Sequence, residues 1–301
     1  MRIATAPVSW GIFEIEEFGI RRPYTEVLDD MQRAGYEGTE LGPYGYFPTD
    51  PPLLRAELSH RQLQLVTAFV PVSLSEPDGC ERGLSEVLRV ADLLQALGVE
   101  LLLLADALTP RRSAIAGRVT SADGLTESQW KEAVACLHRI AHACRARGMR
   151  VAFHHHAGTF VETPEEIARL CTMTDPDLIG LCLDTGHYVY GGGDPVEAVR
   201  TYGSRIWHVH AKDVILEVLE RVRREPLSFA EAVHEGLFCP LGEGVVDFPG
   251  LIRELSAHGY RGWIVVEQDV DPRRPGVDPL RDAARSRAYL HQVLERLGLT
   301  G

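Results

Sequence analysis

Four short stretches of the chain carry imidazoles and carboxylates two or three residues apart: "FHHHAG" with His154, His155 and His156, "LDTGH" with Asp184 and His187, "HVHAKD" with His208, His210, Lys212 and Asp213, and "WIVVEQD" with Glu267. Each stretch is the polar end of an apolar run. Side chains on an extended strand alternate between faces, so His154 and His156 point together while His155 points the other way. The same parity joins His208 to His210, Cys182 to Asp184 and Val265 to Glu267. If those faces all look onto one axis, His154, Asp184, His210 and Glu267 converge. Two carboxylates and two imidazoles are a costly core when unpaired, whereas one divalent cation satisfies all four. Mixed nitrogen and oxygen ligation suits Mn²⁺, Co²⁺, Zn²⁺ or Fe²⁺ and is too rich in nitrogen for Ca²⁺ or Mg²⁺. A lone strand-end histidine is usually a hydrogen-bonded structural residue; four donors on four strand ends need a common partner. For Asp184 the plainer alternative is a backbone cap, with Gly186 at an unusual φ.

Positioning such a set requires strands that end on one rim. Eight β-rich segments recur along the chain, among them "RIATAPVSW", "GTELG", "LQLVTAFV", "VELLLLAD" and "LIGLCLDTG", each followed by a segment of helical periodicity. The clearest helix sets Trp130, Val134, Leu137, Ala141 and Cys144 at spacings of four and three. Strands that alternate with helices run parallel. The Gly-rich turn of an open dinucleotide-binding sheet is absent after the first strand, where the chain reads "VSWGIFE". The expected fold is therefore α/β, a single (β/α)₈ TIM barrel over residues 1–301, with its active site at the C-terminal ends of the strands. Two long connections, 106–125 and 214–246, leave strand C-termini and suit a lid or substrate walls; "SFAEAVHEGLF" in the second predicts a short helix. "GGGDP" reads as a helix start, with Asp194 as N-cap and Pro195 in the first turn. Trp10, Glu40 and Phe69 fall on the same rim, where the aromatic rings either pack the barrel or stack on a substrate.

Composition narrows the partners. Forty-three acidic against 31 basic residues give a formal charge of -12, which disfavours nucleic acid and favours a cation. No apolar run is long enough to span a bilayer, and "MRIATAPVSWG" lacks a basic, apolar leader, so a cytoplasmic location without membrane contact is expected. Six cysteines, Cys80, Cys136, Cys144, Cys171, Cys182 and Cys239, show no CxxC spacing and read as reduced and structural. A homodimer or homotetramer through outer helices or rim loops suits such barrels.

The combination "FHHHAGTFVET", "LDTGHYVYGGGDP", "HVHAKD", "GEGVVDF" and "GWIVVEQDVDP", with "APVSWG" and "GTELG" near the start, resembles the xylose-isomerase-like TIM-barrel superfamily of sugar isomerases and epimerases, and within it the inosose dehydratase branch. The resemblance implies one divalent metal, manganese or cobalt favoured and zinc or iron also fitting, on His154, Asp184, His210 and Glu267. It implies that His187 meets the substrate or a second metal. The first half departs from that branch: "WGIFE" replaces a polar "WRND"-like stretch, "TAFVPV" lacks a lysine, and "ADA" replaces "SEQ". The implied chemistry begins with loss of a proton beside a carbonyl of a keto-polyol or keto-sugar. From the resulting enediolate the site could dehydrate, isomerise or epimerise. Glu267 is the candidate base, His156 or His187 the proton relay, and Lys212 either the acid for a departing hydroxyl or simply a partner of Asp213. Trp10, Glu40, Phe69 and Asp213 are the candidate substrate contacts.

Overall fold

The computed structural model describes residues 1–13, 19–76 and 78–300, so Glu14, the last residue of "WGIFE", lies outside it. Its strands are β1 (Arg2–Thr5), β2 (Gly38–Thr39), β3 (Gln64–Leu65), β4 (Phe69–Val72), β5 (Leu101–Asp106), β6 (Arg150–His154), β7 (Ile179–Asp184), β8 (Ile206–Ala211), β9 (Asp213–Val214), β10 (Phe238–Cys239) and β11 (Trp263–Val266). All but β9 and β10 form one parallel sheet in the order β3-β2-β1-β11-β8-β7-β6-β5-β4. The two ends of that order are consecutive pieces of one extended stretch. Between them the Thr67 carbonyl accepts from the Leu41 N–H at 3.0 Å and the Ala68 carbonyl from the Leu103 N–H at 2.9 Å, so the backbone bonds continue across the seam and the sheet closes. The third of the eight expected strands is thus split in two, and the fold is the (β/α)₈ TIM barrel.

Parity sorts the side chains as the strand period requires. Leu102, Leu104, Val151, Phe153, Leu181, Leu183, Val209 and Ile264 face the outer helices and join the main core. Neighbours of opposite parity fill the barrel itself in two smaller clusters, Leu103, Ala152 and Cys182 on one side and Ala4, Ala6, Val66 and Val265 on the other. With both faces covered, the strands read as apolar runs rather than alternating ones. The outer helices begin on real caps: Thr126 and Thr163 each form a reciprocal capping box, and Asp194 accepts from the Val196 N–H ahead of the helix Pro195–Tyr202. None of the helices is long and apolar enough to cross a membrane, among the described residues.

The cysteine expectation needs correcting. Cys80, in the helix Gly79–Leu97, is disulfide-bonded to Cys136 in the helix Glu127–Arg145, with Cα atoms 5.6 Å apart. The pairing arises because these two helices pack side by side on the outer ring, a proximity that linear spacing does not encode. Cys144, Cys171, Cys182 and Cys239 are free thiols.

The floor of the barrel rests on a bulge. Leu181 pairs with Ile206 but Cys182 pairs with His208, so Trp207 is the extra residue and its ring turns onto Leu103, Ala152 and Cys182. Arg150 stacks over that ring at 4.0 Å. A Cβ at Gly180 would lie 2.0 Å from the indole, so only glycine fits there. Gly180→Ala should therefore cost roughly 1–3 kcal/mol of stability by overpacking, read as a lower denaturation midpoint. In a Trp207→Ala background the same change should cost little; equal costs in both backgrounds would refute the steric account.

Candidate metal centre

The strand ends bring His154, Asp184, His210 and Glu267 together beneath the C-terminal mouth, all four buried. His154 Nε2 lies 3.5 Å from Asp184 Oδ2, His210 Nδ1 lies 3.7 Å from the same oxygen, and 3.2 Å separate His210 Nδ1 from Glu267 Oε2. One donor atom from each residue falls within 4.8 Å of all the others. His154 Nε2, Asp184 Oδ2 and His210 Nδ1 are fully buried and have no hydrogen-bond partner among the described residues. Buried polar atoms are nearly always satisfied, so three orphans facing one point fit a bound cation. The electrostatics agree. Burial pushes His154 down and leaves it a neutral donor, while at His210 the effect of burial is overcome by Cys182, Glu267 and Glu40, which lift it well above its ordinary value. The carboxylates demand positive charge at this spot.

Asp184 and His210 are each held by their other end. Asp184 Oδ1 accepts from the His187 N–H at 2.8 Å and caps the helix Thr185–Tyr190, leaving Oδ2 for the centre. The helix-cap reading of Asp184 is met by Oδ1, while Oδ2 is left facing the other three candidate donors. Gly186 does not take a positive φ; its missing Cβ makes room for the Lys212 stem, which would otherwise lie 2.6 Å away. Glu40 Oε1 sits 2.9 Å from Nε2 of both His208 and His210, which turns His210 Nδ1 toward the centre. Glu40 lines the cavity, yet the contacts it makes orient the candidate ligand His210. His155 faces outward as its parity requires, stacks edge-on against Tyr188 and accepts from the Asp184 N–H at 3.2 Å.

Above the centre lies a cavity of about 340 Å³ whose lining includes Phe69, Asp106, His156, Lys212, Phe229 and Asp269. Phe69 meets the His154 ring edge-on at 5.4 Å. His156 Nδ1 donates to the Ala157 carbonyl at 2.7 Å, and burial pushes this imidazole down to about 3, so Nε2 carries a free lone pair. The His187 ring lies tilted against His156, with centroids 3.8 Å apart. Lys212 does not pair with Asp213. Its Nζ lies 2.8 Å from Asp269 Oδ1, 3.2 Å from Glu267 Oε2, 3.4 Å from Asp184 Oδ2 and 3.1 Å from His187 Nε2.

Two candidate substrate contacts are corrected. Asp213 spends both oxygens on the backbone N–H groups of Val214, Gly242, Gly244 and Val246, at 2.8–3.0 Å, and so shapes the turn after β10. Trp10 closes the 3₁₀ turn Pro7–Trp10, is fully buried and donates its indole N–H to Asp30 at 3.2 Å. Asp269 and Asp106 went unnoticed in the sequence. Asp269 stands two residues beyond Glu267 and shares its parity, a signal that was available.

Residues 28–292 match the family described as xylose isomerase-like TIM barrel. The chain belongs to this family. It is similar to the inosose dehydratase of Geobacillus kaustophilus, 39% identical over 301 residues that cover 98% of this chain and 96% of the relative. It is 37% identical to the rhizopine catabolism protein MocC of Rhizobium meliloti over 274 residues, covering 91% and 83% of the two chains. Among solved structures, L-ribulose 3-epimerase superposes with a TM-score of 0.71 at 19% identity, covering 99% of this chain and 97% of that one. The IOLI protein, solved with a zinc atom, superposes at 0.70 and 16% identity, covering 98% and 99%.

In this xylose-isomerase-like barrel the long rim connections fasten to each other. Arg118 Nη1 donates to the Val222 and Leu227 carbonyls at 2.7 and 2.9 Å, tying the 106–125 loop to the helix Leu216–Arg224. The next helix, Phe229–His234, forms a cavity wall with Phe229 5.3 Å from the His156 ring. Glu162 accepts from the Gly117 and Gly158 N–H groups at 2.7 and 2.6 Å and clamps the other side. Burial raises this carboxyl from the ordinary 4.5 to about 7. The folded protein therefore holds its proton more tightly than the unfolded chain, and this contribution to stability, full below about 4.5, is lost as pH rises through about 7. Relative to wild type, Glu162→Gln should gain stability between pH 5 and pH 8 in urea titrations. A constant difference across that range would refute this assignment.

Proposed function

We propose that the protein is a metal-dependent hydro-lyase that removes water from 2-keto-myo-inositol or a closely related keto-polyol. The observation that carries the reading is the set of orphaned, buried donor atoms on His154, Asp184 and His210 beside Glu267, at the floor of a cavity of sugar-ring dimensions. The relatives named inosose dehydratase, 39% and 32% identical over nearly the whole chain, support the dehydratase assignment over other outcomes of the same chemistry.

His154, Asp184, His210 and Glu267 would hold the ion, manganese or cobalt before zinc or iron. When bound there, a divalent cation draws electron density from the substrate carbonyl and acidifies the neighbouring C–H. Glu267, with its carboxylate at the edge of the cavity, takes that proton. The neutral His156, whose Nε2 lone pair faces the same space, receives it or passes it on. Loss of the β-hydroxyl needs a proton donor, and Lys212 supplies it. Its ammonium is fixed between Asp269 and Glu267, and His187 Nε2 at 3.1 Å links it to the histidine pair. Buried carboxylates on three sides hold the Lys212 pKa above its ordinary value against the effect of burial, so the residue is a charged donor. Phe69 and Phe229 shield the reacting carbons from water.

Metal-loaded protein mixed with 2-keto-myo-inositol should generate a diketone that absorbs in the near ultraviolet. No product with either Mn²⁺ or Co²⁺ would overturn the assignment. Deuterium uptake at the α-carbon without loss of water would mark an epimerase or isomerase instead. Glu40→Gln, which weakens the hold on His210, should lower Mn²⁺ affinity roughly 10- to 100-fold in calorimetry; unchanged affinity would remove Glu40 from the supporting shell.

A further inference from the structure

The charge inside the cavity carries an inference about what can enter it, and it rests on the keto-polyol reading above. Among the described residues five carboxylates line the cavity, those of Glu40, Asp106, Glu267, Asp269 and Asp271, against two permanent cations, Lys212 and Arg273. Both cations are already engaged. Lys212 is enclosed at the floor by Asp184, Glu267 and Asp269. Arg273, 61% exposed at the open end, forks onto Asp271, with Nε 2.7 Å from Oδ1 and Nη2 3.1 Å from Oδ2. Asp271 also accepts from the Arg273 backbone N–H at 2.9 Å and lies 3.0 Å from Nδ1 of His234, on the helix that forms the cavity wall. The Asp271 side chain is only 8% exposed, so the fork is anchored on the protein side of the mouth. Even a bound dication leaves this lining short of positive charge. A carboxylate or phosphate on the substrate would meet no unpaired cation and several fixed anions, whereas hydroxyls can share the same groups by hydrogen bonding.

We propose that Asp271 is a specificity-determining residue: by occupying the guanidinium of Arg273 it denies anionic ring ketones the cation that the described residues place at the cavity mouth and so restricts the site to uncharged keto-polyols. The Arg273 fork holds the Asp271 carboxyl down at about 2, so the pairing persists across the working pH range.

The test compares two six-membered ring ketones on metal-loaded protein by calorimetry, 2-keto-myo-inositol, which is neutral, and 3-dehydroshikimate, which carries a carboxylate. Wild type should bind the neutral ketone at least about 10-fold more tightly. Asp271→Asn frees the guanidinium and should narrow that ratio several-fold, an effect that shrinks as salt is raised because the fork is exposed. Arg273→Gln leaves Asp271 unneutralised and should widen the ratio, and the double variant should lose the gain of the single one. Equal affinities in wild type, no binding of either ketone, or ratios unmoved by both single variants would overturn the proposal. If the neutral ketone binds without losing water while the ratios shift as expected, the dehydratase reading fails and the charge filter stands.

Discussion

Buried negative charge that must be matched governs this structure. Glu40, Asp184, Glu267 and Asp269 all sit at or below 8% exposure around the barrel axis, where an unpaired carboxylate costs several kcal/mol after relaxation. His210 and Lys212 answer part of that charge, His208, which burial keeps neutral, hydrogen-bonds Glu40, and the orphaned atoms of His154, Asp184 and His210 lie together where a cation would answer more. Such a concentration is tolerable only where the surrounding backbone is fixed. A closed parallel sheet provides this, since every stave is bonded on both sides and no ligand-bearing strand end is free to drift. The tryptophan bulge below and the capped helices outside serve the same requirement, because any slack in the strands would separate the donors.

The polar groups divide their labour atom by atom. One oxygen of Asp184 caps a helix and the other looks into the centre; one nitrogen of His210 is fixed by Glu40 and the other looks into the centre. His155, pointing away from the axis, still acts on the site through the Asp184 backbone. Groups held in this way need little reorganisation when charge develops nearby, which is the usual origin of electrostatic assistance in enzymes.

Much of this could be read from the chain because strand parity is a geometric rule. His154, Asp184, His210 and Glu267 share their inward face with Ala152, Cys182, His208 and Val265, and the two-residue period needs no tertiary information. The limits were equally physical. Trp10 lies past the last paired residue of β1, on a 3₁₀ turn where alternation no longer applies, and it packs on Asp30. Asp213 follows β8 at a point where the chain leaves the barrel for the short antiparallel pair β9–β10, so its oxygens go to the backbone of the adjoining turn. The Cys80–Cys136 bridge depends on which outer helices are neighbours. Asp269 was legible by parity alone.

Under the proposed reading, the position of Lys212 bears on why such a site would expel water rather than merely shuffle a proton. Epimerisation needs two proton-transfer groups flanking one carbon, and isomerisation needs one group that serves two adjacent carbons. Elimination needs a base beside one carbon and a charged donor beside the oxygen two atoms away. Lys212 is fixed on the same floor as Glu267, 3.2 Å from its Oε2, and so could not stand on the opposite face of a ring that Glu267 would deprotonate. A base and an ammonium side by side favour a path in which the proton and the hydroxyl leave from one face of the substrate. Phe69 and Phe229 contribute apolar wall, and Asp106 and His156 contribute polar groups to the same lining. Under the proposed reading the side-by-side base and ammonium suit syn elimination, whereas an epimerase would have to draw its second proton-transfer group from elsewhere in the lining, where Asp106 and His156 stand.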